Sequence, residues 1–304
     1  MSCRTFAAAA LLAALSVPAV ALDRIAVFQE ARPSLVQVVG IGVDGRYYLG
    51  SGVALANGTI VTNCHVTQRA KKIGFFGGFN GPQASLQAAD VQHDLCALHF
   101  QGVNSRPVAV GSSRDLKVGD QVFAVGFYAG ASLSFQSGEV AELFEHDGGI
   151  VIRTTAPFTH GASGGGLFDQ DGKLVGILTF YRVGPGSTSY FAVPVEWLQA
   201  LEALPGKDIE PVPGVPFWAQ EIQHQPTFLR AGALEADKRW DELAALAKDW
   251  TQASPEDGQA WMALAKASVK LGDNVAARAA FKRAVDLGIT YPANLSSQLD
   301  GESD

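Results

Sequence analysis

A serine at position 163 is enclosed by four glycines, Gly161, Gly164, Gly165 and Gly166. Glycine carries no side chain that would clash, so such a stretch can turn its peptide N–H groups toward one point. The N–H groups of Gly161 and Ser163 would then form an oxyanion hole in front of the Ser163 hydroxyl. The alternative is a glycine-rich hairpin that carries an exposed serine. A serine hydroxyl is a poor nucleophile on its own. Whether Ser163 is catalytic or merely exposed therefore depends on whether the chain also supplies a base and an acid.

The partners that such a serine needs occur upstream. His65 follows an apolar stretch with an Asn57-Gly58 turn, which indicates a hairpin whose second strand ends near this histidine. Asp94 stands at the head of a short apolar strand. A base and the acid that orients it therefore precede the nucleophile, in the order His65, Asp94, Ser163. This is the order of chymotrypsin-type triads, and it differs from the orders in subtilisin and the α/β-hydrolases.

Six linked motifs resemble those of trypsin-fold serine proteases of the bacterial HtrA/Deg type, and they cover about residues 30–200. They are G-S-G-V from Gly50, T-N-C-H-V from Thr62, D-L-C-A-L from Asp94, A-V-G-F from Ala124, S-G-E-V from Ser137 and G-A-S-G-G-G-L from Gly161, followed by F-A-V-P from Phe191. The resemblance implies two antiparallel six-stranded β-barrels, with His65 and Asp94 on the first and Ser163 on the second. It implies peptide-bond hydrolysis that requires no metal and no cofactor. Ala162 departs from the Asn that is usual in this family, and no PDZ domain is recognised downstream.

The resemblance also implies which residues form the primary specificity pocket. In the trypsin fold they lie just before the serine and on the strand that follows it, which here gives Pro157, Phe158, Thr179, Phe180 and Tyr181. Pro157 occupies the pocket base, where a preference for Lys or Arg would need an acid. We therefore expect cleavage after small or medium apolar residues. His160 either leans over the pocket entrance or is an exposed loop histidine.

The first 21 residues have the pattern of a cleaved signal peptide. Arg4 supplies the positive charge, an apolar stretch follows, and Ala19-Val20-Ala21 matches the cleavage pattern. A membrane anchor is the alternative, but the segment is short, and no later stretch has the length of a membrane span. We expect a periplasmic or secreted protein. Its net charge of −7, without a basic block, argues against a nucleic-acid partner and an anionic membrane surface. The resemblance implies a protein or peptide substrate.

Removal of the signal peptide leaves two cysteines, Cys64 and Cys96. One adjoins the candidate base and the other lies two residues beyond the candidate acid, so contact between His65 and Asp94 would bring the cysteines close together. In an oxidising compartment this predicts a disulfide, with two buried free thiols as the alternative. A metal site lacks a third ligand at suitable spacing. The remaining histidines show neither ligand spacing nor an acid partner; they are His93, His99, His146 and His224.

Short apolar stretches punctuated by glycine predict many antiparallel strands within residues 22–204, the expected protease domain. One of these predicted strands is Pro107–Val110, and a helix over Glu196–Leu204 closes the domain. The proline-rich residues 205–225 predict either an extended linker or a strap laid across this domain.

From residue 226 the apolar period changes to that of helices. Four are predicted, over Ala231–Lys238, Trp240–Gln252, Gly258–Leu271 and Asn274–Leu287. The last two resemble a tetratricopeptide repeat, and a 34-residue offset relates the two halves of residues 226–292. Two repeats are too few for independent stability, so this module is expected to pack against the protease domain. Its concave face either binds a peptide partner or is purely structural. Residues 293–304 are predicted to be a polar tail.

Overall fold

The computed structural model describes residues 19–75, 82–101, 105–128 and 132–289 of the 304-residue chain. Most of the predicted signal peptide and the whole of the predicted polar tail lie outside these residues. The first described helix, α1 (Ala19–Ala31), begins at the predicted cleavage motif. Among the residues described, no helix has the length and apolar character that crossing a membrane takes.

The first β unit follows α1. Its strands are β1 (Leu35–Gly42), β2 (Tyr47–Ala54), β3 (Thr59–Thr62), β4 (Ala70–Phe75), β5 (Ala84–Asp90) and β6 (Leu95–Phe100). Neighbouring strands pair in the order β5-β6-β3-β2-β1-β4, all antiparallel. A four-residue helix, α2 (Cys64–Thr67), follows β3 directly. Because β3 pairs with β6, residues that follow the end of β3 lie beside residues that precede β6.

The second β unit is a closed six-stranded barrel. Its strands are β7 (Gln121–Tyr128), β8 (Ser132–His146), β9 (Gly149–Thr154), β10 (Gly166–Phe168), β11 (Leu174–Gly184) and β12 (Ser187–Pro194). Phe123, Phe168 and Ile177 are fully buried in its core. The predicted strand over Pro107–Val110 is wrong: Val110 is half exposed and forms only an isolated bridge with Leu174.

The proline-rich residues 205–225 lie across the first sheet, and we call them the strap. After helix α3 (Trp197–Glu202), strand β13 (Lys207–Asp208) adds to the free edge of β5. Further along, the Val212 N–H donates to the Gln68 carbonyl at 2.8 Å, and the Phe217 N–H donates to the Gln92 carbonyl at 2.9 Å. The sequence left open whether these residues form a free linker or a strap across the domain, and the structure shows the strap.

The first β unit departs from the predicted six-stranded closed barrel. With β13 it is a seven-stranded sheet. Within the described residues, β4 and β5 meet through a single bridge between Gly74 and Gln83, while residues 76–81 lie outside the description. The strap takes the edge of β5 that a closed barrel would have used, which explains why only one of the two predicted barrels is closed.

The described part of the chain ends with four helices: α4 (Thr227–Ala236), α5 (Trp240–Ala253), α6 (Gly258–Leu271) and α7 (Asn274–Asp286). The predicted bounds agree to within a few residues. Asp257 caps the start of α6 by accepting from the Gln259 N–H, and α6 ends at Gly272, whose φ of +78° suits a helix C-terminus. Buried alanines such as Ala247 and Ala277 let the helices approach closely. The resemblance to a tetratricopeptide repeat stays a prediction.

The helical module packs against the barrel, as expected for a unit too small to be stable alone. Gln259 Nε2 donates to the Leu143 carbonyl at 3.1 Å, and Lys266 Nζ lies 3.1 Å from both Glu142 and Glu235. Burial would raise the pKa of Glu142, but the charges of Lys266 and Arg153 outweigh it and lower this pKa to about 2. This partly buried charge cluster therefore stays ionised at neutral pH and joins α6 to β8 and β9.

Candidate active site

His65 and Asp94 meet where β3 ends and β6 begins. The imidazole Nδ1 lies 2.6 Å from Asp94 Oδ2, and the His65 backbone N–H donates to Asp94 Oδ1 at 2.8 Å. The Asp94 side chain is buried, whereas the His65 side chain is 27% exposed. The carboxylate therefore holds the imidazole through Nδ1 and leaves Nε2 as the ring nitrogen able to act as a base.

Several groups hold Asp94 in its conformation. Its φ of +60° is uncommon for a residue with a side chain. Its carbonyl accepts from the Cys64 N–H at 3.2 Å and from Asn63 Nδ2 at 2.9 Å. A disulfide between Cys64 and Cys96 joins the two segments, so the predicted pairing is confirmed. These contacts keep the acid in place against an unfavourable backbone geometry.

The glycine-rich loop that carries Ser163 is held by Ser51 of β2. The Ser51 hydroxyl donates to the Gly161 carbonyl and accepts from the Phe127 N–H, both at 2.7 Å, and the Ser51 N–H donates to the Ser163 carbonyl at 2.7 Å. Within the described residues, the N–H groups of Gly161 and Ser163 donate no hydrogen bond. The oxyanion hole that these two amides were predicted to form stays a prediction.

The Ser163 hydroxyl donates to the Thr179 carbonyl at 3.3 Å. In the described part of the chain it makes no hydrogen bond to His65, so the expected direct contact between the two is not formed. The two segments are linked indirectly, because Asn63 Nδ2 donates to both the Asp94 carbonyl and the Thr179 hydroxyl. If Ser163 and His65 act together, the hydroxyl has to turn from Thr179 toward the imidazole, and catalytic hydrogen bonds often tighten only when substrate is bound.

Two residues at this site were missed by reasoning from the sequence. Ser51 was noted only as part of the G-S-G-V motif; its position between two glycines in a strand was the available signal. Trp218 of the strap is the other. Its indole Nε1 donates to Asp94 Oδ2 at 3.0 Å, and its ring meets the His65 ring edge to face at 5.7 Å between centroids. No local pattern predicts that contact.

The residues predicted for the specificity pocket divide into two groups. Phe158 packs against Tyr181 and Tyr190, and the Tyr181 hydroxyl lies 3.0 Å from Nδ1 of the exposed His160. Pro157 is exposed on the same loop. Thr179 and Phe180 are buried, as Phe158 is, but they contact other residues. Thr179 bonds to Asn63, and Phe180 stacks between Phe191 and Trp218, so these two side chains support the candidate triad from behind.

His93, beside Asp94 in the sequence, has acid partners, which corrects the expectation that it has none. Its Nδ1 lies 2.6 Å from Asp90 Oδ2 and its Nε2 lies 3.3 Å from Asp147 Oδ2. Burial would lower the pKa of His93, but the bonds and charges of Asp90 and Asp147 outweigh it and raise this pKa. Burial lowers the pKa of the adjacent His146, whose Nε2 lies 3.6 Å from Asp147.

We expect His93→Gln to lower the free energy of unfolding more in acid than in alkali. A raised pKa in the folded state means that the contribution of His93 is complete below about pH 6.5 and is lost as the pH rises through the folded-state pKa. Asp90 stays charged over this range because His93 lowers its pKa against the effect of burial. Urea unfolding measures the drop in unfolding free energy that His93→Gln causes. This drop should be roughly 1–2 kcal/mol larger at about pH 5.5 than at about pH 9. The exposed His224→Gln is the control, and a loss from His93→Gln that does not depend on pH would contradict this account.

Residues 50–177 match the family model described as trypsin-like peptidase domain. A probable periplasmic serine endoprotease DegP-like from Buchnera aphidicola is 34% identical over 173 residues, which cover 52% of this chain and 37% of that protein. The periplasmic pH-dependent serine endoprotease DegQ of Escherichia coli is 33% identical over 164 residues, covering 50% of this chain and 36% of that one.

Solved structures agree in fold. The HtrA-type protease AlgW with a tripeptide is 27% identical, with a TM-score of 0.53 over 59% of this chain and 62% of that chain. The active form of the Rv3671c protease from M. tuberculosis is 19% identical and supports the fold alone, with a TM-score of 0.56 over 71% of this chain and 99% of that chain.

The fold and these matches define a trypsin-like peptidase domain. Residues 50–177 match this domain and the chain is similar to HtrA-type serine endoproteases, so the resemblance seen in the motifs is confirmed. The chain spans little more than a third of the length of the two curated relatives above.

Proposed function

We propose that the chain is an exported serine endopeptidase with His65, Asp94 and Ser163 as its catalytic triad. The observation that carries the proposal is the buried Asp94 carboxylate bonded to His65 Nδ1 beside the glycine-rich loop of Ser163. In this proposal the N–H groups of Gly161 and Ser163 on that loop are the donors that an oxyanion needs. The names of the relatives, serine endoproteases of the periplasm, favour the same reaction and the same compartment for this chain.

The proposed reaction assigns each of these groups a role. His65 Nε2 takes the proton of the Ser163 hydroxyl as Oγ attacks the carbonyl carbon of the peptide bond. The N–H groups of Gly161 and Ser163 stabilise the negative oxygen that forms, each donor being worth about 2.7–4 kcal/mol in comparable enzymes. His65 then returns the proton to the leaving amine, and the C–N bond breaks to leave an acyl-enzyme. Water, deprotonated by His65, hydrolyses the ester and restores Ser163. Asp94 holds the imidazole and stabilises its charged form throughout.

The aromatic group of Phe158, Tyr181 and Tyr190 supports a preference for small or medium apolar residues on the amino side of the cleaved bond. The pocket contains no acid among the residues assigned to it, so a basic side chain would lack a counter-charge. A peptide library digested by the purified protein should show apolar residues at that position. Dominant cleavage after Lys or Arg would contradict the preference without affecting the triad.

The direct test of the proposed function compares three substrates: unfolded casein, a short internally quenched peptide and an N-acyl amino-acid ester. An endopeptidase cleaves internal bonds in the first two, and mass spectrometry of the casein fragments identifies them. The alternative, a catalytically silent protease-like scaffold or peptide-binding protein, would cleave none. An esterase would hydrolyse only the ester. Either result with folded protein would contradict the proposal.

Export and the role of the helical module complete the proposal. A disulfide next to the triad suits an oxidising compartment, in agreement with a cleaved signal peptide over residues 1–21. The contacts of Gln259 and Lys266 with the barrel favour a structural role for the module. A peptide partner on its concave face stays a prediction.

A further inference from the structure

The Asp94 carboxylate receives three hydrogen bonds, and one comes from outside the two β units. His65 supplies two of them, through its backbone N–H and its imidazole. The third comes from the indole Nε1 of Trp218, 124 residues further along the chain. A buried carboxylate is costly unless several donors satisfy it, so this third donor is a substantial part of what stabilises the charge.

The indole bonds to the same oxygen as the imidazole. Both His65 Nδ1 and Trp218 Nε1 approach Oδ2, at 2.6 and 3.0 Å, while Oδ1 accepts the backbone N–H of His65. A carboxylate with donors fixed on both oxygens cannot rotate about its Cβ–Cγ bond without losing them. The Trp218 ring also packs edge to face with the imidazole, at 5.7 Å between centroids.

Trp218 is itself firmly held. Its ring stacks on Phe180 at 5.0 Å and 10° between planes, and Phe180 stacks on Phe191 at 4.6 Å and 8°. Its carbonyl accepts from the Arg182 guanidinium at 3.2 Å. The preceding residue, Phe217, is 1% exposed. The indole N–H is therefore presented to Asp94 by a fixed support and not by a loose segment.

We propose that Trp218 is a positioning residue for the His65–Asp94 pair, which makes the strap a working part of the active site. The inference rests on the proposed function. Trp218 fixes the plane of the carboxylate so that Oδ2 keeps the imidazole in the orientation that aims Nε2 at Ser163. It does not touch the substrate in this role.

The test is Trp218→Phe, which keeps a ring against Phe180 and removes the N–H. We expect kcat to fall about 10- to 100-fold with KM nearly unchanged, as for the loss of one hydrogen bond to a charged group. Trp261→Phe is the matched control. It also removes an indole donor, to the Pro255 carbonyl at 2.8 Å in the helical module, and should leave kcat unchanged.

A spectroscopic measurement separates positioning from a merely structural effect. The proton between His65 Nδ1 and Asp94 gives a far-downfield NMR signal, which should move or broaden in Trp218→Phe and stay in place in Trp261→Phe. If Trp218→Phe does not fold, benzothienylalanine at position 218 keeps the two-ring shape without the N–H, and the same results are expected.

Full activity, or a fall in activity with an unmoved signal, would overturn the positioning role while the proposed function stands. Absence of hydrolysis by the wild-type protein would overturn the proposed function, and this inference with it.

Discussion

Ser163→Ala is expected to lower kcat/KM on the order of 10⁶-fold, the loss seen when one member of a cooperating triad is removed. The reason is that no other group on the loop can form the acyl-enzyme. The fold should be unaffected, because the Ser163 hydroxyl contributes a single long bond to the Thr179 carbonyl. The measurement is hydrolysis of a quenched peptide, together with thermal unfolding of the same samples.

Ser85→Ala is a matched control for this substitution. Its hydroxyl donates to the His99 carbonyl at 3.1 Å at an exposed position of β5 and makes no contact with the candidate triad within the described residues. Activity should stay at the wild-type level and stability should change by no more than about 0.5 kcal/mol. If purified Ser163→Ala retained most of the hydrolysis, Ser163 would not be the nucleophile.

Gly164→Ala is expected to disrupt both the loop and the junction between the two β units. Gly164 has a φ of +86°, and a Cβ there would overlap the Ser51 carbonyl oxygen and the Thr62 hydroxyl, with the Asn63 nitrogen 3.1 Å away. These atoms belong to β2, β3 and the segment that leads to His65. The glycine-rich loop would therefore have to move away from the first sheet. We expect a loss of more than about 4 kcal/mol in unfolding free energy, or failure to fold, together with loss of activity.

Gly45→Ala provides the comparison, because Gly45 has a similar φ of +77° but no atom within 4 Å of an added Cβ. It isolates the cost of the left-handed backbone, about 1–2 kcal/mol, and should leave peptide hydrolysis intact. Urea unfolding of the two variants measures the difference. Equal losses would mean that the close packing of Gly164 against the first sheet does not matter.

The sequence predicted what depends on neighbours along the chain. The disulfide followed from the positions of Cys64 and Cys96 beside two residues expected to touch, since neighbours of a contact are brought close as well. Helix bounds such as Gly258–Leu271 were predicted because caps and the apolar period are local signals. The strand over Pro107–Val110 was predicted wrongly, because a strand also needs partners, which no local pattern supplies.

Contacts between distant residues could not be predicted in this way. Trp218 reaches Asp94 only because the strap crosses the first sheet, and a proline-rich stretch is equally compatible with a free linker. His93 gains Asp147 from the β8–β9 turn, 54 residues away. The Ser163 hydroxyl is turned toward the Thr179 carbonyl. No sequence pattern predicts such a rotamer, because it depends on contacts made in the folded site.

Reaction with a fluorophosphonate tests most directly whether His65, Asp94 and Ser163 form one working unit. Intact mass spectrometry of the folded protein should show a single adduct, and peptide mapping should assign it to Ser163. His65→Ala should slow the labelling by orders of magnitude, because the base that activates the hydroxyl is gone. An adduct on a different serine, labelling that His65→Ala leaves as fast as before, or no labelling of the folded protein would contradict the proposed triad.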